Sequence, residues 1–436
     1  MKFALAFRMK KQQEIFRFCI SIHEQFFLVV IASLAVLAAS QFRQEPDEPP
    51  DSDSIESGPE SFEDRGWHEG PTLFDLSGTV KSKFALHAAL IDPSKNLICS
   101  PISALLPLGK LVFGTERGKV RNELLDAIGY TKKKVKRRLR SLISKLKYLP
   151  GVTLSIFSTL YISQSQQLRR KFIKTTMSVF KSTCEKLDFT RPAESASVIN
   201  RKVSEATNGK ITKIIGAGDI SPSTSLILVN AIYFSGLWKK PFKDVSVGDF
   251  HSPTGVRKVP MMKRKGEYNY VRSETLRAQI IEIPYKGNKA SFVIVLPFAQ
   301  NGLTLLLRQL KVAPNLLNQA MTGMTESTVL LTMPKFRIES ELNLNVLYEH
   351  IGVRSIFLSD RSGLKRIVNN QKVFVSRAVQ KAYIEVTEKG TEAAAATAVH
   401  LMMSAMPVMF TADRPFLFFV KADKYQLFAG IYTGQA

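Results

Sequence analysis

Three cysteines in 436 residues are too few for a disulfide-built scaffold. The six histidines, at 23, 68, 87, 251, 350 and 400, stand singly, and none pairs at i, i+4 around a glutamate as a zinc-protease helix requires. There is no Gly-x-Ser-x-Gly elbow, no Walker loop and no Cys-x-x-Cys. The chain thus offers no catalytic, metal or cofactor site, and an enzyme reading has nothing to start from. No Asn-x-Ser/Thr acceptor is present, so N-glycosylation is not expected. Acids are scarce as well: 37 Asp and Glu face 61 Lys and Arg, a formal charge of +24.

What is present is size, an N-terminal address and an unequal distribution of charge. A 436-residue chain that is 45% hydrophobic can bury a large core. Phe26 to Leu37 is an apolar run of about a dozen residues, with Lys10, Lys11 and Arg17 ahead of it and Ala38-Ala39-Ser40 behind. That pattern suits a secretory signal peptide over residues 1–40 better than a membrane span, with a signal anchor as the alternative because the basic region is long. The product is therefore expected to be secreted and extracellular, with no membrane association after signal removal. Cys19 leaves with the leader, and Cys99 and Cys184 read as buried thiols rather than a framework.

Residues 44–64 carry nine acids and no Lys or Arg, and they fall in an acidic, Pro- and Ser-rich extension over 41–75 with too little apolar material for a core. Removing the five basic and two acidic residues of 1–40 leaves 56 against 35, a formal charge of +21. A balance so basic attracts polyanions.

The densest charge lies between Thr131 and Lys147, where nine basic residues meet no acid. Val135, Leu139, Leu142 and Leu146 recur at spacings of four and three and predict one apolar helix face. Lys132, Lys133, Lys134, Lys136, Arg137, Arg138 and Arg140 cover the remainder. A solvated face is the bland reading of such a run. Uncompensated like charges repel, however, and an anionic partner would relieve them. Arg169, Arg170, Lys171 and Lys174 form a second cluster. No zinc finger or RNA-binding aromatic pattern accompanies the charge, so nucleic acid is not the expected partner.

Glu388-Lys389-Gly390-Thr391-Glu392-Ala393-Ala394-Ala395-Ala396-Thr397 admits two local readings. Alanine favours helix, with Thr391 as N-cap. As a strand, Thr391, Ala393, Ala395 and Thr397 share one uncharged side, while Glu392 and His400 fall on the other. The strand reading describes a segment able to enter a sheet without burying a charge.

This segment resembles the hinge and reactive-centre loop of the serpin family, inhibitory type. The resemblance extends from about residue 76 to the end. Asn96-Leu-Ile-Cys-Ser-Pro-Ile-Ser103, Thr207-Asn-Gly-Lys-Ile211, Asn230-Ala-Ile-Tyr-Phe-Ser-Gly-Leu-Trp238, Pro284-Tyr-Lys-Gly287, Met333-Pro-Lys-Phe336 and Arg414-Pro-Phe416 match family landmarks in order.

The resemblance implies an α+β serpin domain over 76–436. Three β-sheets are expected, one large and central, with eight to nine surrounding helices and an exposed loop over about 388–412. It implies a monomeric suicide inhibitor that forms a covalent acyl complex with a serine protease and then inserts its cut loop into the central sheet, using no cofactor. A 14-residue inserted strand is about 46 Å long.

By the family's spacing the reactive bond is Ser404–Ala405, or one residue earlier Met403–Ser404. Either favours elastase-like or chymotrypsin-like enzymes over trypsin-like ones, with papain-like cysteine proteases left open. Sheet opening is assigned by resemblance to Ser100, Ser103, Asn230, Trp238, Lys335 and Gln380, with Lys335 pairing Glu388 where the loop enters. The basic helix falls where several members bind heparin-like glycosaminoglycans. The competing reading is a non-inhibitory polyanion-binding or carrier member. Departures from the pattern are Gln380 for histidine, Lys202 for tryptophan, Ser158 for asparagine, and Pro107, Gly109 and Lys110 inside a helix expected to be buried.

Overall fold

Leu226–Gly236 (β4) is buried for nine consecutive residues, as only a strand covered on both faces can be. Its alternation divides the interior in two. Leu226, Leu228, Ile232 and Phe234 belong to the main core, whereas Ile227, Val229, Ala231 and Tyr233 belong to a smaller second cluster. In the computed structural model, residues 85, 88–369, 372–390, 406–423 and 425–435 are described. The leader 1–40, the acidic extension and Thr391 to Ala405 lie outside the described residues.

The helices are α1 (Pro101–Gly114), α2 (Lys119–Ile128), α3 (Lys132–Leu146), α4 (Arg170–Phe180), α5 (Pro192–Ala206), α6 (Leu303–Val312), α7 (Asn315–Thr322) and α8 (Leu344–His350). One five-stranded sheet contains β2 (Val152–Ser163), β3 (Cys184–Leu187), β4, β10 (Phe336–Asn343) and β11 (Val375–Val386), in the order β10-β11-β4-β2-β3. β10 runs antiparallel to β11 and β2 antiparallel to β4, but β11 and β4 are parallel neighbours.

A nine-stranded ladder contains β1 (Leu97–Cys99), β5 (Asp244–Ser252), β6 (Gly255–Ser273), β7 (Ala278–Pro284), β8 (Ala290–Pro297), β9 (Thr325–Pro334), β12 (Val408–Thr411), β13 (Phe416–Ala422) and β14 (Tyr425–Tyr432). The 19-residue β6 pairs with β5, β9 and β7 in succession. That continuity joins the second and third expected sheets into one hydrogen-bonded ladder, with the five-stranded sheet as the other.

α1 is buried along nearly its whole length, including Pro107, Gly109 and Lys110. Ser100 caps it by accepting from the Ser103 amide at 3.2 Å, and Pro101 occupies the first turn where its missing N–H costs nothing. Gly109 has a steric reason. A Cβ there would stand 2.5 Å from Leu139 Cδ1 and 3.1 Å from Phe180 Cε1, so the glycine lets α3 and α4 close onto α1.

By helix propensity alone, Gly109→Ala should stabilise by up to about 1 kcal/mol. The packing predicts the opposite sign, a loss of about 1–3 kcal/mol from overpacking at Leu139. Thermal unfolding of the variant decides, and a raised midpoint would refute this account of the contact.

Candidate functional site: the sheet junction and the base of the loop

The residues assigned to sheet opening separate into two groups. The first is a polar rung. Ser158, Asn230 and Gln380 are register partners across β2, β4 and β11, and all three are buried on the side facing α1. Gln380 accepts from the Ser100 amide at 3.0 Å and donates through Nε2 to the Ser100 carbonyl at 3.0 Å and to Asn230 Oδ1 at 3.1 Å. Ser103 Oγ donates to the same Asn230 oxygen at 2.6 Å, and Asn230 Nδ2 returns to the Ser103 carbonyl at 3.0 Å. Gln380 thus spans the parallel β11–β4 boundary and ties it to the start of α1.

Four departures from the family pattern, Gln380, Ser158, Pro107 and Lys110, lie in or beside this rung. Pro107 has no N–H, so the carbonyl four residues earlier, that of Ser103, loses its helical donor. Asn230 Nδ2 takes that place. Lys110, 1% exposed, donates to the Ser158 carbonyl, to Ser158 Oγ at 3.1 Å and to Ser182 Oγ at 2.6 Å. Lysine in α1 and serine in β2 are therefore one compensated pair. Burial without a carboxylate partner pushes the Lys110 amine down to about 7, with Cys184 opposing weakly. Burial likewise pushes both thiols, Cys99 and Cys184, up to about 12; both are free, and Cys184 is only half-covered rather than buried. Lys202 pairs with Glu185 at 2.7 Å in a partly exposed bridge between α5 and β3.

The second group lies at the end of β11, six residues beyond Gln380 and so about 20 Å along the strand. Trp238, 1% exposed, stacks on Tyr285 with centroids 4.5 Å apart and planes at 7°. Its Nε1 donates to the Thr387 carbonyl at 2.6 Å and its amide to the Lys389 carbonyl at 3.1 Å, while the Phe242 amide donates to the Glu388 carbonyl at 3.0 Å. Lys335 Nζ meets Glu388 Oε2 at 2.7 Å, and that contact, a side-chain hydrogen bond first and a charge second, holds the Glu388 carboxyl below its usual range. The expected Lys335–Glu388 pair is present.

Gly390 is expected as a flexible pivot, and the structure adds a steric requirement. A Cβ there would stand 2.6 Å from the Pro241 nitrogen. Thr391, Glu392, Ala393, Ala394, Ala395, Ala396, Thr397, Met403, Ser404 and Ala405 lie outside the described residues. The chain is described again from Met406, 96% exposed, into β12.

The basic helix forms as its periodicity predicts. Val135, Leu139, Leu142 and Leu146 are the buried residues of α3, while Lys133, Lys134, Lys136, Arg137 and Arg140 are exposed. Lys132 and Arg138 are half-covered, over the rings of Phe113 and Tyr130. α4, carrying Arg170, Lys171 and Lys174, packs beside α3, so the two clusters are neighbours. Ser182 and Thr387 make contacts that the sequence did not mark, since each acts through a single hydroxyl or carbonyl without a motif.

The family model for serpins, serine protease inhibitors, matches residues 81–433. Antichymotrypsin-2 of Bombyx mori is 37% identical over 349 residues, covering 78% of this chain and 92% of its own. Leukocyte elastase inhibitor of Sus scrofa is 31% identical over 346 residues, 76% and 90% of the two chains. The crystal structure of Serpin48, a highly specific serpin of the insect Tenebrio molitor, superposes with a TM-score of 0.74 at 28% identity, covering 85% of this chain and all of that one. The chain belongs to the serpin family of serine protease inhibitors.

Lys110 gives a pH dependence of known sign. The native amine releases its proton near pH 7 and the unfolded one only near 10.5, so unfolding takes up a proton between those values and stability rises with pH from about 7. Above about 8.5 the thiols oppose the trend, because the unfolded chain then ionises them and the native state does not. Between pH 7 and 8.5, Lys110→Met should flatten the rise of unfolding free energy with pH, by at most about 1.4 kcal/mol per pH unit, as read by denaturant unfolding. Parallel curves for the two proteins would refute the assignment.

Proposed function

We propose that this serpin is a secreted inhibitor of elastase-like or chymotrypsin-like serine proteases that traps its target by loop insertion, with polyanions bound on α3. The observation that carries the reading is the parallel β11–β4 pair with the loop springing from the end of β11. A chain that turns back at Gly390 and enters between the two strands runs antiparallel to both. One parallel ladder is thereby exchanged for two antiparallel ones, the better-bonded arrangement. A protease serine attacks the carbonyl of Ser404 (or Met403), the amine of the following residue leaves, and the ester links enzyme to loop. Insertion then carries the enzyme about 46 Å before water can resolve the ester. Thr391, Ala393, Ala395 and Thr397 place no charge and no proline on the inward side, which would otherwise leave a buried ion or a missing donor.

Specificity rests on the small Ser404 or unbranched Met403, and two relatives are named for the inhibition of chymotrypsin and of leukocyte elastase. Secretion rests on the apolar run and small residues ahead of position 41. Among the described residues no helix is long and apolar enough to cross a membrane. Polyanion binding, with heparin-like glycosaminoglycan as the ligand, rests on the exposed cations of α3 beside those of α4.

Incubation with elastase and chymotrypsin followed by denaturing electrophoresis should give a covalent band at the summed mass. Clipping near Ser404 without that band would instead indicate the carrier reading. Thr391→Arg should convert the inhibitor to a substrate, raising the enzyme:inhibitor stoichiometry several-fold; retained trapping contradicts the insertion geometry. For α3, replacing Lys133, Arg137 and Arg140 together by glutamine should weaken heparin binding at low salt. Each lost contact should also lower the slope of log affinity against log salt by somewhat under one. An unchanged slope removes α3 from the binding site.

A further inference from the structure

β6 has a short stretch of open edge inside a cleft. β9 covers one side of β6 without a break from Met261 to Tyr270. On the other side pairing with β5 stops at Lys263, and pairing with β7 starts only at Asn269. Arg264 to Tyr268 therefore have no ladder partner on that side, and no other main-chain group among the described residues bonds to them there. β7 runs on without β6: the Lys239 amide takes the Pro284 carbonyl at 3.0 Å, and Trp238 bridges Tyr285. The sheet forks at this point. The fork encloses a cleft of about 420 Å³, the size of a small-ligand site.

Charge divides along the fork. At its closed end Asn269 is the register partner of both Glu326 and Glu282. Glu282 is already satisfied, by Lys421 at 2.7 Å and by Ser291 Oγ at 2.6 Å. Glu326 is exposed and has no ion pair among the described residues. Midway, Glu267 accepts from Thr328 Oγ1 at 2.7 Å. The open end carries Arg264, Lys239, Lys240 and Lys289 against the single acid Asp423. None of those four cations has an ion pair among the described residues, and Arg264 is half-buried. A free carboxylate thus waits at one end and a surplus of free cations at the other, with an unpaired backbone edge between them.

We propose that the fork binds a short linear peptide with free termini, about four residues long. The peptide lies extended along Arg264–Tyr268 and antiparallel to β6, its ammonium at Glu326 and its carboxylate at Arg264 and Lys239. Main-chain pairing with the open edge supplies the seat, and the charge-assisted bonds at the two ends fix direction and length. From Asn269 to Arg264 the edge runs about 16 Å, and an extended tetrapeptide spans about 13 Å, a difference that the Arg264 side chain covers. The Asn269–Glu282 rung closes the cleft behind the amine, so the site accepts a chain end and excludes the interior of a longer chain. This binding is separate from inhibition and holds whether or not the protein traps a protease.

The test is calorimetric titration of the full-length protein with tetraalanine and with its N-acetylated, C-amidated and doubly blocked forms. Free tetraalanine should bind, and blocking either end should weaken it about fivefold, the effect of one charge pair at a partly exposed site. Glu326→Gln should weaken the free peptide by a similar factor and leave the acetylated one unchanged. Arg264→Gln should do the same for the free peptide and leave the amidated one unchanged. The blocked peptides give their answer on the wild-type protein, so the test stands even if a variant folds poorly. Absence of binding by free tetraalanine overturns the site, as does equal affinity for all four peptides. Binding that neither variant alters places the peptide elsewhere, the β11–β4 boundary included, and overturns it too.

Discussion

The structure depends on a buried polar rung that is satisfied only while the sheet is closed. Ser158, Asn230 and Gln380 sit where a purely apolar strand would pack without complication, and a buried amide left without partners costs about 1–3 kcal/mol. Here Gln380 is engaged from both ends: by the Ser100 backbone beneath it and by Asn230 across the strand boundary. A strand entering between β11 and β4 must separate Gln380 from Asn230. In the proposed mechanism, the atoms that close the sheet therefore stand at the point where it would open. Such networks are all-or-none in effect, since a half-satisfied set is worse than none.

The helix under the rung shows how local rules yield to this demand. Proline and glycine within a buried helix each oppose helix formation, and lysine opposes burial. Each is answered in space: Asn230 fills the carbonyl that Pro107 leaves open, Gly109 admits Leu139 and Phe180, and Lys110 is clasped by Ser158 and Ser182. The departures at Lys110 and Ser158, unrelated when read along the chain, are a single exchange in space. An amine took up the room and the acceptors at that end of the rung.

Much of this was legible from sequence where periodicity or a run of residues carried it. The apolar stripe of α3 is buried as its spacing requires, and Lys335 and Glu388 meet. The Asn230–Trp238 landmark runs along β4, and Asn96–Ser103 leads into α1. Contacts that join distant segments through one atom left no trace along the chain. Nothing about Thr387 announces a carbonyl for Trp238, and nothing about Ser182 announces an acceptor for Lys110. Gly390 shows a subtler limit. Its type was read as freedom of motion, whereas its neighbour Pro241 shows that closeness of approach demands it too.

The proposed mechanism asks one segment to be both fixed and able to move. The base of the loop is held by three backbone carbonyls, one ion pair and a glycine pressed against Pro241. In the proposed mechanism insertion begins at the next residue, Thr391. A firm foot limits where the chain can turn, which in the proposed mechanism would aim the returning segment at the β11–β4 boundary. Loosening the foot would enlarge the set of paths the cut loop explores, slowing insertion relative to hydrolysis of the ester. In the proposed mechanism, rigidity at Trp238 and Glu388 would serve the speed of the step that follows, just as the rung at Gln380 would delay that step until the chain is cut.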